Sequence, residues 1–425
     1  MRGMYWKPEG ASQVQRALVA ALAVIGLVAV EVLPVEERQP YFAEKMLAAR
    51  KAQEALDVLH DASESKGIPL RPKTDPSGSR IIGEVLSPIT SGSGSLVSKQ
   101  TSANPNFAAV VVQWLKDLGI KSGDVVAVGL SGSFPAMNVA VYAALDELGV
   151  EPIIISSTAA SQWGANDPNF TWLDMEAQLR KSDVFPFKSV AASLGGVGDD
   201  AIGLTKQGRR LLERAIERNR IPALTEIEPQ EQPSDGAEEN AEERTPVLGL
   251  IDQDRVRERM HVYYEAAGDR PIKAYINVGG GTVSVGTKVG KNKFVPGINS
   301  RPPKGMKDLP PSVIGAFLET GVPGIHVTRI IDIAEEFGLE IAPHVMPEVG
   351  SGDVFQKRQP NRWLAGIVLS LILLSLFVIA RAPWGTRMLR TTIPADSIAP
   401  PPRLSGPPAP PADRGDASAS ASNPP

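Results

Sequence analysis

The stretch that decides the fold is DVVAVGLSGSFPAMNVAVYAALDELGVEPIIIS, residues 124–156. After Asp124, residues 125–130 form an unbroken apolar run without a polar face, which predicts a strand covered on both sides. A Gly/Ser turn follows. Residues 135–148 then predict a helix, and residues 152–156 a second buried strand. Strand, helix and strand in this order make a βαβ unit, so a parallel sheet with a right-handed crossover is expected. The alternation continues outward. Residues 188–192 predict a strand, followed by Gly195-Gly196-Val197-Gly198 and a helix over 205–219. Residues 274–278 predict a strand that runs into Gly279-Gly280-Gly281-Thr282, residues 325–337 a helix, and residues 339–342 a short strand. The expected fold is α/β, a three-layer domain around a mostly parallel sheet.

Two apolar runs flank this domain. Residues 17–30 are unbroken and apolar, preceded by Arg2, Lys7 and Arg16; Glu31 interrupts the run and Val32, Leu33 and Val35 extend it. A bilayer core takes about 20 apolar residues, so residues 17–35 are expected to form a transmembrane helix. A cleaved signal peptide is the competing reading, but no A-x-A site stands near Val28 to Val32. Residues 363–380 are apolar except for Ser370 and Ser375, with Arg362 and Arg381 at the ends and Trp363 and Trp384 placed for an interfacial belt. Two spans put both termini on one side. The basic residues before the first span and after the second favour the cytoplasm for both, although Lys357, Arg358 and Arg362 nearly balance the second set. The expected order is a cytoplasmic segment 1–16, span 17–35, a helical stalk 36–67, the α/β domain 68–356, span 363–380 and a Pro/Ala/Ser-rich tail 381–425 expected to be disordered. An acidic run, 226–245, interrupts the domain and is too poor in apolar residues to bury a core.

Composition narrows the chemistry. The 425 residues allow two or three domains, and 42% hydrophobic with 22% charged residues is ordinary for a folded protein. A net charge of -4 leaves no basic footprint for nucleic acid. There is no cysteine, and the four histidines (His60, His261, His326, His344) are scattered, so neither a metal nor a cofactor is expected.

Three strand ends run into glycine-rich turns: GLSGS at 129–133, LGGVGDD at 194–200 and NVGGGT at 277–282. Ligands of open parallel sheets bind outside the carboxyl ends of the strands, where glycine lets backbone amides approach an anion. Ser131, Gly132, Ser133, Asn277, Gly279, Gly280 and Gly281 are therefore candidate ligand contacts, and Gly132→Val or Gly280→Val should block the approach. The turns match no standard nucleotide motif: GLSGSFP lacks GK[ST] and, with Ser133 in the last position, also misses G-x-S-x-G. VGGGT is similar to phosphate loops of actin-like ATPases but lacks their surrounding acidic residues. Ser131 as a nucleophile would need a histidine base, for which His326 is the candidate; a cap or core histidine is the bland alternative. Two polar stretches add candidates. In SKQTSANPNF (98–107) these are Thr101, Ser102 and Asn104; Asn104 before Pro105 also reads as a helix cap, which leaves the hydroxyls and Lys99 unexplained. In SSTAASQWGANDPNFTWLDME (156–176) they are Trp163, Asn166, Asp167, Asp174 and Glu176, although Asp167 also suits a turn and the last two the first turn of a helix.

The segments SPITSGSGSLVSKQTSANPNFAA, VAVGLSGSFPAMNVA, STAASQWGANDPNFTWLDME and INVGGGTVSVG, with the GVPGIH stretch, resemble the poly-γ-glutamate system protein family of membrane-anchored bacterial proteins. The likeness runs over residues 43–347; the acidic run, the second span and the Pro-rich tail depart from it. The resemblance implies a cell-envelope accessory role in poly-γ-glutamate (capsule) synthesis or export. It also implies three partners: the anionic polymer, the membrane components of its synthase and the lipid bilayer, at the bacterial cytoplasmic membrane. It transfers no catalytic residue. A γ-glutamyl hydrolase or transferase with a Ser131 nucleophile is the enzymatic alternative.

Overall fold

The computed structural model describes residues 13–224 and 248–381. Residues 1–12, the acidic run and the tail beyond Arg381, with Trp384, lie outside the described residues. The chain divides into two units, Pro34–Pro360 and the pair Met1–Leu33 with Asn361–Pro425.

The larger unit contains helices α1 (Phe42–Ser65), α2 (Leu96–Ser102) and α3 (Phe107–Asp117), then strand β1 (Val125–Ser131), α4 (Pro135–Glu147), β2 (Glu151–Ser157), α5 (Trp172–Lys181), β3 (Ala191–Ser193) and α6 (Lys206–Arg218). After the acidic run come α7 (Leu248–Ala267), β4 (Ile272–Val278), β5 (Gly297–Asn299), α8 (Val313–Glu319), β6 (Gly324–Val327) and α9 (Ile330–Glu336). The six strands form one mixed α/β sheet in the order β5-β6-β4-β1-β2-β3. Every neighbouring pair is parallel except β5 on β6. Side chains of β1 alternate between faces, as a pleated strand requires. Val126, Val128 and Leu130 join an apolar cluster with residues of α1, α3 and α4. Val125 and Ala127 join another with residues of α7 and α8. The central βαβ unit thus follows the expectation closely.

Three sequence expectations are corrected. Residues 36–67 are not a stalk. Ala48, Ala49, Ala52, Ala55, Leu56 and Leu59 of α1 are buried in the core cluster with residues of α3 and α4, because the alanine stripe lets helix backbones approach closely. Residues 325–337 are not one helix: β6 takes the first part and pairs with β4, with His326 opposite Asn277, before α9 begins at Ile330. The short strand expected at 339–342 does not form.

The smaller unit holds two helices, Gln13–Val32 and Arg362–Arg381, each long and apolar enough to cross a membrane. The first starts earlier and stops sooner than expected, since Val35 already belongs to a short strand paired with Gln359. At Gly26 the two helices pack closely: a Cβ there would lie 2.2 Å from Cγ1 of Val368. Small residues of this kind allow close helix contact in lipid. Ser370 and Ser375 donate to helix carbonyls at 2.8 and 2.7 Å, which satisfies their hydroxyls without water.

Candidate functional site

Parallel strands end at a common edge, and here β1 ends in Ser131, β2 in Ser157, β4 at the Gly279–281 turn and β6 at Thr328. β2 follows β1 on one side while β4 returns to the other, so the strand order reverses at β1, where ligands of open sheets bind. A cavity of about 400 Å3 opens at this edge. Its lining holds nine serines, two threonines, Lys99, Lys291, Arg329 and a single carboxylate, Asp199. The three glycine turns do converge: Ser131 and Ser133, Gly196 and Val197, and Gly280 and Gly281 all line it.

Lys99 is the most unusual group. It sits on the short helix α2, whose N-cap Ser95 accepts from the Ser98 amide at 3.2 Å. Lys99 is only 3% exposed. Its Nζ donates to the Ser133 carbonyl, lies 3.1 Å from Ser161 Oγ and stands 3.5 Å from the centre of the Phe134 ring. Burial, with a smaller contribution from the charge of Lys291, brings its ammonium down to about 7.

Asp199, the one carboxylate, is already neutralised. Its Oδ2 accepts from Nε of Arg259 at 2.7 Å, and its Oδ1 accepts from Ser193 Oγ at 2.7 Å. Arg259, 1% exposed, also donates from Nη2 to Ser157 Oγ and Ser193 Oγ at 3.0 and 2.9 Å. This buried cluster ties α7 to the ends of β2 and β3 and fixes the 195–200 turn. Sequence reasoning missed it, because Arg259 lies in a helix otherwise rich in exposed charge. The cavity wall therefore carries three basic groups against one carboxylate that Arg259 already holds, while Arg329 also pairs with Asp332 at 3.3 Å.

The two central turns differ in their backbone donors. The Gly132 amide donates to Ser157 O at 3.0 Å and the Ser133 amide to Ser131 Oγ at 3.1 Å, so these amides are spent within the fold. Among the described residues no hydrogen bond within the chain engages the amides of Gly280 or Gly281. Anion capture by backbone is thus open at 280–281 and closed at 132–133.

The other predicted contacts lie elsewhere. Thr101 donates to Val97 O at 2.7 Å and Ser102 to Lys99 O at 2.7 Å. Asn104 Oδ1 accepts from the Asn106 amide at 3.0 Å. All three are buried packing groups. Asn166 clamps the backbone of Glu84 at 2.8 Å in both directions, and Asp167 closes a turn onto the Asn169 amide. Trp163, in the left-handed region at φ 60°, packs partly buried against the core. Asp174 forms a capping box with Thr171 and pairs with Arg218. Glu176 is buried and accepts from Tyr142 at 2.5 Å and Ser189 at 2.7 Å; burial pushes its carboxyl up. None of these lines the cavity; from that long loop only Ser157, Ala159 and Ser161 do. Asn277 is a positioning residue that donates to Gly279 O at 2.8 Å.

His326 is not the base for Ser131. It is wholly buried, faces Asn277 through Nδ1 at 3.0 Å and does not line the cavity. Burial, then the charges of Lys291 and Arg329, push it down to about 3. The unfolded chain takes up its proton near 6.5 while the folded one refuses it until about 3, so stability falls as pH drops through that window. Between pH 7 and pH 5 this group alone should cost about 2 kcal/mol. Urea unfolding of His326→Gln at the two pH values should show an acid sensitivity smaller than wild type by that amount.

Compared with known proteins, the chain matches no protein-family model, no curated protein and no solved structure.

Proposed function

We propose that this chain is a membrane-anchored accessory protein of bacterial poly-γ-glutamate production, and that its cavity holds carboxylates of the polymer. The observation that carries this reading is the charge of the cavity: Lys291 and Arg329 line it, against one carboxylate already taken by Arg259. Hydroxyls and the 280–281 amides supply further donors suited to carboxylate oxygens. The apolar clusters on the two faces of the sheet fit a three-layer domain. The two apolar helices fit anchorage in the cytoplasmic membrane beside the synthase, with the large unit outside. Titration calorimetry of the full-length protein in detergent against γ-glutamyl oligomers tests the reading. Binding should be present and should weaken as salt rises, since a partly exposed charged site is screened. Absence of binding sinks it. For orientation, a reporter fused after Arg381 should be active only in the cytoplasm and one inserted at Ser234 only outside.

A further inference from the structure

The surroundings of Lys99 go beyond what binding an anion requires. A lysine that only attracts carboxylates is best left protonated and reaching into solvent. This one is withdrawn from water, and three contacts surround its Nζ: the Ser133 carbonyl, the face of Phe134 and the Ser161 hydroxyl. A neutral amine has two N–H bonds and one lone pair to place in those three directions. The carbonyl and the ring face each suit an N–H, which leaves the lone pair for the Ser161 O–H. Ser161 is itself held rigidly. Its backbone pairs with Gly92 in a short parallel ladder, and its amide donates to Ser133 Oγ at 3.0 Å. Ser161 lines the cavity.

We propose that Lys99 and Ser161 form a base–nucleophile pair that opens an amide or ester carbonyl seated in this cavity, on an acyl chain that carries negative charge. The inference does not depend on the polymer being γ-glutamate. Ser161 Oγ bonds to the carbonyl carbon as its proton passes to Nζ of Lys99. The C–N or C–O bond then breaks as Lys99 gives that proton to the departing nitrogen or oxygen, leaving an acyl ester on Ser161. Water attacks the ester, Lys99 takes the water's proton, and Ser161 recovers it as the acid departs. One water is consumed for each bond cut. A pair of nucleophile and positioned base is the general requirement for covalent acyl transfer. Burial makes the amine form available near neutral pH. Of the charged groups around the cavity, Lys291 opposes protonation of Lys99, Asp199 is held by Arg259, and Arg329 lies 3.3 Å from Asp332.

The test is labelling of the full-length protein in detergent with a fluorophosphonate, which modifies activated serines whatever the natural substrate is. Peptide mass spectrometry should place the adduct on Ser161, and the rate should rise with pH through about 7. Ser161→Ala should abolish the adduct, and Lys99→Met should slow it by about 100-fold or more, the usual contribution of a positioned base. Labelling of another serine, no labelling, or wild-type labelling of a folded Lys99→Met overturns the proposal. If Lys99→Met does not fold, the wild-type profile decides: a rate independent of pH overturns it. Because the probe reports on the pair alone, failure here leaves polymer binding standing, and failure of polymer binding leaves the pair standing.

Discussion

Arg259→Leu is expected to destabilise the larger unit by about 3–5 kcal/mol, the cost of leaving one partner of a buried ion pair without the other. The substitution keeps most of the side-chain volume but removes the guanidinium that serves Asp199, Ser157 and Ser193 together. The Asp199 carboxylate, 7% exposed, would then be buried with only hydroxyl donors. Most folded domains are stable by about 5–15 kcal/mol, so the loss takes a large share of the total. Urea unfolding measures it. The double variant Arg259→Leu/Asp199→Asn should recover part of the loss, because no unpaired charge remains. A single variant as stable as wild type would mean that water reaches the pair. The effect should extend to the cavity, since the 195–200 turn carries Gly196, Val197 and Asp199 in its wall.

Gly280→Val should weaken binding of γ-glutamyl oligomers by about 100-fold or more, the equivalent of losing two charge-assisted hydrogen bonds at about 1.5–3 kcal/mol each. A Cβ at this position meets Cε and Nζ of Lys291 at 3.1 Å, so the new branches displace that flexible side chain and cover the 280–281 amides. The backbone itself is not obstructed, and the melting temperature should stay within a few degrees of wild type. Gly132→Val is a different experiment. Its Cβ would stand 2.9 Å from Thr158 O and 3.0 Å from Ala159 O, both backbone atoms that cannot swing aside. That variant is expected to lose the fold rather than the ligand alone. Calorimetry paired with thermal melts separates the two cases. Wild-type affinity in a folded Gly280→Val would exclude this cavity as the binding site.

The sequence by itself determined the central βαβ unit, the parallel sheet, the two apolar helices and the convergence of three glycine turns on one edge. Each follows from a local regularity. An unbroken apolar run is a buried strand, about 20 apolar residues make a helix long enough to cross a membrane, and parallel strands necessarily end on the same side. Weak local patterns misled it. The alanine stripe of α1 has too little apolar bulk to announce a core helix. The four-residue strand Gly324–Val327 is too short to show its period, so it merged with the helix behind it. The choice among polar residues was decided only by tertiary structure. Asn166 is occupied by Glu84, Glu176 by Tyr142 and Ser189, and Asp174 by Arg218, partners far away along the chain. Lys99 reads in sequence as one more lysine on a polar helix. What sets it apart is lost hydration, a ring against its amine and a serine from a strand distant in sequence. Conformation follows from neighbours in sequence, through sterics and burial period. Desolvation and the choice of hydrogen-bond partner follow from neighbours in space, which only the folded chain supplies.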